Sequence, residues 1–342
     1  MRGIPLVRVA AVLPFASFLL EIGAPLEQLW TRAGLSPRSL LDPDGTIPLS
    51  MASRFAEDAA ASQGVPDLGL VVARRSGLES IGGFGTGIRG ARTLQHAIAT
   101  TRDTVVCHNS GVRYWAVTEG ESVRLCLRWR RSADCLRQLD LFSLALMVDL
   151  VRLVAGVDWC PGRADLQSSG VFDPRNAEMF CAARVRQGQA ATSIILPRSL
   201  LRRPLHLAPQ SPAALARHGA WLRSAPPTDL VGSARVVIES LLEGGRADLD
   251  TVAHAAGTSA RTFQRWLTES GVSFSALVDR TRFARATRLL EDSDLKFLEI
   301  ALELGYSDPA HFTRAFRRWT SATPLEHRKR HLLLRADARR SA

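Results

Sequence analysis

Two stretches, LDTVAHAAGTSARTFQRWL at Leu249–Leu267 and FLEIALELGYSDPAHFTRAFRRW at Phe297–Trp319, carry one pattern written twice. In the first, Leu249, Val252, Ala253 and Ala256 recur at helical spacing and Gly257 follows. In the second, Phe297, Ile300, Ala301 and Leu304 repeat that spacing, with Gly305 after them. Apolar residues at i, i+3, i+4 and i+7 give a helix one buried face. A glycine just past the last of them supplies the left-handed residue that ends a helix. Ser259 and Ser307 are then placed to cap a second helix by accepting its free backbone N–H groups. The second helices carry Phe263, Arg265 and Leu267 in one copy and Phe312, Arg314 and Phe316 in the other. The offset between copies is 48 residues through the glycine and 49 after it. Each copy reads as two helices joined by a short turn, a helix-turn-helix.

On the outer helices, the residues not needed for packing are Arg261, Gln264 and Arg265, and then Ala310, His311 and Arg314. In the major groove Arg makes a bidentate contact to guanine and Gln to adenine. The first face has more strong hydrogen-bonding groups, so the first unit is expected to contribute more of the sequence specificity. Arg317 and Arg318 follow on the second helix as phosphate contacts.

The stretch Ile300–Arg328, IALELGYSDPAHFTRAFRRWTSATPLEHR, resembles the signature of the AraC/XylS family of bacterial transcription regulators. The match lies in Ala301, Gly305-Tyr306-Ser307, Phe312, Arg314-Ala315-Phe316-Arg317 and Thr323-Pro324. Two positions depart from the family pattern: Ser321 stands where Gly is usual and His327 where Tyr is usual. The resemblance implies a sequence-specific regulator of double-stranded promoter or operator DNA, with RNA polymerase as a partner and activation as the commoner behaviour. Two recognition helices would enter successive major grooves about 34 Å apart. A helix within Val272–Leu290 joins the units; about 17 residues span roughly 26 Å.

The chain has 342 residues and a net charge of +11, enough for two domains with cores of their own. The charge is not concentrated on the repeat, since residues 229–334 hold 15 basic and 14 acidic residues. Bunched arginines mark a phosphate-facing surface better than total charge does. One bunch is Arg280, Arg282, Arg285 and Arg288; another is Arg314, Arg317, Arg318, Arg328, Lys329 and Arg330.

The first half reads as mixed α and β. The run Val9–Leu20 resembles a signal peptide, but Pro14 breaks it, Glu21 ends it, and it is too short to span a bilayer. Two amphipathic helices before Gly34 fit better. Leu49–Gln63 reads as a helix, Thr93–Thr101 as a short one, and Leu136–Ala155 as a long one ended by Gly156. The segment GGFGTGIRG at Gly82–Gly90 lacks the spacing of a phosphate loop and reads as a tight turn or strand rim. Val112–Val117 and Ser122–Trp129 alternate as a hairpin, with Val123, Leu125, Leu127 and Trp129 on one face. Ala164–Ser168 and Ser193–Leu196 read as strands and Pro174–Ala183 as a helix between them. Ser211–Ser224 can form a short helix, and Ala225-Pro226-Pro227-Thr228 breaks the pattern.

The opening helices, Leu49–Gln63 with the glycine stretch, and the hairpin HNSGVRYWAVTEGESVRLCLRW at His108–Trp129 resemble the N-terminal domain of one AraC subfamily, often labelled arabinose-binding-like. The label is not evidence for arabinose. The resemblance implies a domain that senses a small-molecule effector and is a candidate for dimerising. His108, Arg113, Tyr114, Trp115, Arg128 and Trp129 are its candidate effector contacts, because sites mix aromatic surface with a few fixed polar groups.

The resulting expectation is an α+β sensor domain over residues 1–208, a linker over 209–228, and an all-α DNA-binding domain over 229–334 with two helix-turn-helix units joined by a central helix. A disordered basic tail fills 335–342. The five cysteines, Cys107, Cys126, Cys135, Cys160 and Cys181, show no metal spacing and are expected as reduced cytosolic thiols. No catalytic residue, metal site or cofactor is expected. No Gly-x-Ser-x-Gly elbow occurs, and the clustered cysteines of DNA-alkylation repair domains are missing. The expected location is the cytoplasm, at the nucleoid, without membrane contact. Two alternatives are a regulator whose first domain only dimerises and, remotely, a DNA-repair enzyme with an AraC-type module.

Overall fold

The computed structural model describes residues 3–130, 136–170, 180, 184–205, 211–242, 247–292 and 295–340. The chain divides into two compact units, Pro5–Thr228 and Asp229–Ala342; Met1–Ile4 group with the second. The Ile4 N–H donates to Ser233 Oγ at 2.8 Å, so the first residues leave the expected 1–208 domain.

The larger unit begins with β1 (Leu6–Arg8), then α1 (Leu13–Glu21) and α2 (Leu26–Arg32). Pro14 starts α1 instead of breaking a helix, because the first turn needs no N–H from it. β2 (Thr46–Pro48) pairs antiparallel with β1. Next come α3 (Leu49–Gln63), α4 (Leu68–Ser76), α5 (Gly82–Arg89) and α6 (Leu94–His108). Thr93 caps α6 by accepting from His96 N at 3.2 Å, and the helix runs beyond the expected Thr101.

The hairpin strands β3 (Val112–Glu119) and β4 (Ser122–Trp129) lead into α7 (Arg137–Ala155). β5 (Arg163–Asp165), β6 (Arg184–Arg186) and β7 (Thr192–Pro197) complete a five-stranded sheet in the order β3-β4-β7-β5-β6. Only the β5–β6 pair is parallel; the other neighbours are antiparallel. The helix expected at Pro174–Ala183 lies outside the described residues, apart from Phe180.

Three expectations are corrected in this unit. Gly82–Arg89 is helical, not a turn, and its glycines serve close packing. A β-carbon on Gly83 would stand 2.5 Å from Trp221 Cγ, and one on Gly85 would stand 1.9 Å from the Leu78 carbonyl oxygen. Second, residues 209–228 are not a linker throughout: the short helix expected at Ser211–Ser224 forms as α8 (Pro212–Arg223), capped by Ser211, and it packs on α5 and buries Trp221. The connecting segment shrinks to Ala225–Thr228. Third, the thiols are not all reduced: Cys160 is disulfide-bonded, while Cys107 and Cys126 are free. Scattered sequence spacing says nothing about which cysteines the fold brings together.

The second unit is all helix: α9 (Leu230–Leu242), α10 (Leu249–Ala255), α11 (Ala260–Glu269), α12 (Phe274–Asp292), α13 (Phe297–Glu303), α14 (Pro309–Thr320) and α15 (Pro324–Arg340). Val252, Ala253, Phe263 and Leu267 are buried in the first repeat; Ile300, Ala301, Phe312 and Phe316 are buried in the second. Gly257 and Gly305 hold φ of 71° and 76°, the left-handed turns their positions require. The central α12, at 1.5 Å per residue about 28 Å long, packs against α9, α13 and α15. The basic tail is corrected as well, because α15 continues to Arg340. Leu, Arg and Ala are good helix formers, and no Gly or Pro interrupts 325–340.

Candidate DNA-reading helices and effector pocket

The two outer helices of the repeat are α11 and α14. On α11, Phe263 and Leu267 face the core while Arg261, Gln264 and Arg265 are exposed. On α14, Phe312, Ala315 and Phe316 are buried, and Ala310, His311, Arg314, Arg317 and Arg318 are exposed. All eight expected DNA contacts therefore lie on solvent-facing helix surface. Two of these arginines already have partners. Arg265 Nε stands 3.7 Å from Glu269 Oε1, and Arg318 Nη2 stands 3.2 Å from Asp279 Oδ2. Both pairs are mostly solvated, so each is worth little and yields to a phosphate or base at small cost.

The cap of α14 differs from expectation. Ser259 caps α11, accepting from Thr262 N at 3.3 Å, but α14 is capped by Asp308, which accepts from Ala310 N at 2.8 Å. Ser307 is one residue too early. The equivalent pair is Ser259 and Asp308, 49 apart, so the extra residue of the second copy sits in the turn before the cap.

The arginine bunch on α12 is largely used inside the protein. Arg282 Nε donates to the Leu304 carbonyl at 3.1 Å and its guanidinium lies over the Tyr306 ring. Arg285 pairs with Glu303 at 3.2 Å, and Arg285 and Arg288 both reach Glu239. Arg328 likewise donates to the Leu290 and Leu295 carbonyls. These side chains brace the helices; Arg280 stays exposed.

In the larger unit, α5, α6 and α7 close over one face of the β3–β4 hairpin and leave a cavity of about 90 Å3. The register pairs Val112 with Trp129 and Tyr114 with Leu127, and these four form the sheet side of the cavity. Phe84 of α5, His108 of α6 and Phe142 of α7 are among the residues of the helical side. The Trp129 indole is fixed by a 2.9 Å hydrogen bond to Asp140. Asp140 is fully buried and also accepts from Ser168 N, Ser168 Oγ and Thr192 Oγ1. The His108 imidazole stacks on Phe84 at 4.7 Å. Burial first, and then the nearby Arg8 cation, drive its pKa down to about 3, so the ring is neutral at pH 7. Burial likewise pushes the Tyr114 hydroxyl well above the usual phenol range.

Two polar atoms of residues that line this cavity, Tyr114 OH and His108 Nδ1, are buried without a hydrogen-bond partner among the described residues. Such atoms cost roughly 1–3 kcal/mol each when left unmet. Of the six expected effector contacts, His108, Tyr114 and Trp129 line the cavity. Arg113, Trp115 and Arg128 do not: strand alternation turns them to the opposite face, where Arg113 stacks over Trp115 and both arginines are exposed. Phe84 and Phe142 escaped the sequence reading because they come from segments far from the hairpin.

Residues 23–205 match the model for the arabinose-binding domain of AraC transcription regulators, and residues 252–330 match a helix-turn-helix domain. The chain belongs to the AraC family of transcription regulators. Similar proteins include the HTH-type transcriptional regulator VirS of Mycobacterium tuberculosis, 26% identical over 94% of this chain and 96% of the relative. The Ornithine utilization regulator of Pseudomonas aeruginosa is also 26% identical, over 95% of this chain and 96% of its own length. Among solved structures, the transcriptional regulator CdpR from Pseudomonas aeruginosa aligns over 94% of this chain and 98% of that one, at 21% identity and a TM-score of 0.41.

As an AraC-family regulator the chain binds DNA through its helix-turn-helix domain. No helix among the described residues is long and apolar enough to cross a membrane. Its two departures from the family pattern have clear local consequences. Ser321 takes the left-handed conformation, φ 60°, that Gly adopts freely. The His327 ring packs edge-on against Phe316 and its Nε2 meets Glu291 Oε1 at 3.0 Å.

Proposed function

We propose that this regulator is a ligand-responsive transcription activator whose helices α11 and α14 read successive major grooves on one face of the duplex. The observation that carries the reading is the pair of exposed polar faces, Arg261-Gln264-Arg265 and Ala310-His311-Arg314, on equivalent helices of a repeat. Arg317 and Arg318 would add phosphate contacts. RNA polymerase would be the protein partner of activation, and a second copy of the chain is a candidate partner. The chain would work in the cytoplasm, at the nucleoid, with no catalytic chemistry of its own. A first domain that only dimerised would have no use for a cavity holding two unmet polar atoms, which favours sensing.

Footprinting and binding titrations on the DNA upstream of its target genes test the reading. Arg265→Ala and Arg314→Ala should each weaken specific binding by roughly 1–3 kcal/mol with the fold intact. Unchanged affinity in both variants would reject the reading helices, and protection of a single groove per subunit would reject the claim that both units read DNA.

A further inference from the structure

We propose that the cavity under α5, α6 and α7 binds a small neutral molecule with an apolar body and one hydroxyl or carbonyl oxygen seated against Tyr114 and His108, and that it rejects carboxylates and ammonium ions. The inference rests on reading the larger unit as the sensor and supplies the chemistry of what it senses. The cavity wall is mainly aromatic and aliphatic, with Thr101, Asn109 and Ser143 as further polar residues, and none of its lining residues is Asp, Glu, Lys or Arg. An ion placed there would give up water without gaining a counter-charge from the wall, which disfavours it. The nearest cation offers no rescue. Arg8 is buried beside His108, but each of its three side-chain nitrogens already donates, to the carbonyls of Cys107, Asp44, Trp221 and Ser224.

The polar end is specified by the two unmet atoms. Tyr114 OH can donate or accept, and the neutral His108 ring presents Nδ1 as a donor or acceptor according to its tautomer. A hydroxyl or carbonyl oxygen satisfies one or both. The body is limited by size: an apolar cavity near 150 Å3 holds a benzene ring. A space of about 90 Å3 is smaller than that, so the body is at most one small ring or a short chain. The flat walls formed by Phe84, Phe142 and Trp129 favour a ring. A zwitterionic amino acid with a charged side chain fits none of this.

Isothermal titration calorimetry of the full chain with phenol, benzene, benzoate and L-ornithine tests the proposal. Phenol should bind, benzene about tenfold more weakly, and benzoate and L-ornithine not at all. Tyr114→Phe should weaken phenol about tenfold, the worth of one such hydrogen bond, and leave benzene unchanged. Val105→Phe, which fills the cavity, should abolish both. Tighter binding of benzoate or L-ornithine than of phenol would overturn the proposal. So would no binding by any probe, or equal phenol affinity in wild type and Tyr114→Phe. DNA affinity is read separately by fluorescence anisotropy with and without phenol. Phenol bound with no change in DNA affinity would uphold the pocket chemistry and reject only the ligand-responsive reading.

Discussion

Ser321 is the only non-glycine among the described residues with positive φ. Its β-carbon crowds the following carbonyl, a strain of roughly 1–2 kcal/mol, part of which a glycine gives back through the greater freedom of its unfolded chain. Ser321→Gly should therefore stabilise the C-terminal unit by about 0.5–1 kcal/mol, seen as a higher urea midpoint with an unchanged slope. At His108 the outcome depends on pH. The folded ring titrates at about 3, below its ordinary value of 6.5. Between these values the unfolded chain binds the extra proton, so stability is present above 6.5 and is lost as pH falls toward 3. From pH 7 to pH 5 the loss is about 2 kcal/mol for this one residue. The half-buried carboxyls Glu57 and Asp149 are shifted upward by desolvation and act in the opposite sense at lower pH. The difference between wild type and His108→Phe in parallel urea titrations at the two pH values isolates the histidine. An equal pH dependence in both proteins would refute its buried, neutral state. Neither feature was fully legible in the sequence. Ser321 was visible as a departure from the family pattern, and only the backbone shows what the departure costs. His108 was visible as a candidate contact, and only the fold shows that its charge is suppressed.

Among the elements, the repeat was the most legible because each helix-turn-helix is local: its apolar spacing, glycine and cap lie within twenty or so residues. Even there the cap of α14 fell on Asp308 instead of Ser307: the offset shows that one residue was added after the glycine, and only the backbone shows that it lies before the cap. The hairpin was legible in its alternation, which also decided which three of the six candidate contacts point inward. The helix α5 was not legible. Four glycines in eight residues argue against a helix by propensity, by roughly 0.5–1 kcal/mol each, and α5 forms because tertiary packing overrides that. Gly83 lets the Trp221 ring of α8 approach, and Phe84 beside it faces both the cavity and Trp221, 6.3 Å away. A methyl at Gly83 gains at most about 1 kcal/mol of helix propensity, while forcing apart a buried ring typically costs 1–3 kcal/mol. The clash wins. Gly83→Ala should destabilise the larger unit and partly release α8, giving faster limited proteolysis near Ala225–Thr228 and altered tryptophan fluorescence. Unaltered cleavage kinetics would mean that α8 does not depend on this contact.

For the whole molecule, the distribution of charge decides how binding responds to salt. Residues 1–228 hold 26 basic and 18 acidic residues, whereas 229–334 hold 15 and 14. Most of the excess of +11 thus lies outside the DNA-binding unit, a fact the sequence displays and the fold makes interpretable. Within that unit, Arg282, Arg285 and Arg328 are committed to internal partners, whereas Arg288 pairs with Glu239 but stays largely exposed. Among the described residues the cations left for phosphates are chiefly Arg261, Arg265, Arg314, Arg317 and Arg318, with Arg235, Arg280, Lys296, Lys329 and Arg330 also exposed. Each neutralised phosphate contributes about −0.9 to the slope of log K against log salt. If about five to eight cations engage phosphate, the slope for specific binding should lie near −4 to −7. Arg317→Ala, on a residue assigned to phosphate, should make the slope shallower by about 1 and weaken all sequences alike, while Arg265→Ala should relax base preference. Anisotropy titrations of the full chain at 50–300 mM KCl measure both. A slope steeper than about −10 would require more phosphate contacts than the cations named here supply, and would show that the charge outside the two reading helices is part of the binding surface.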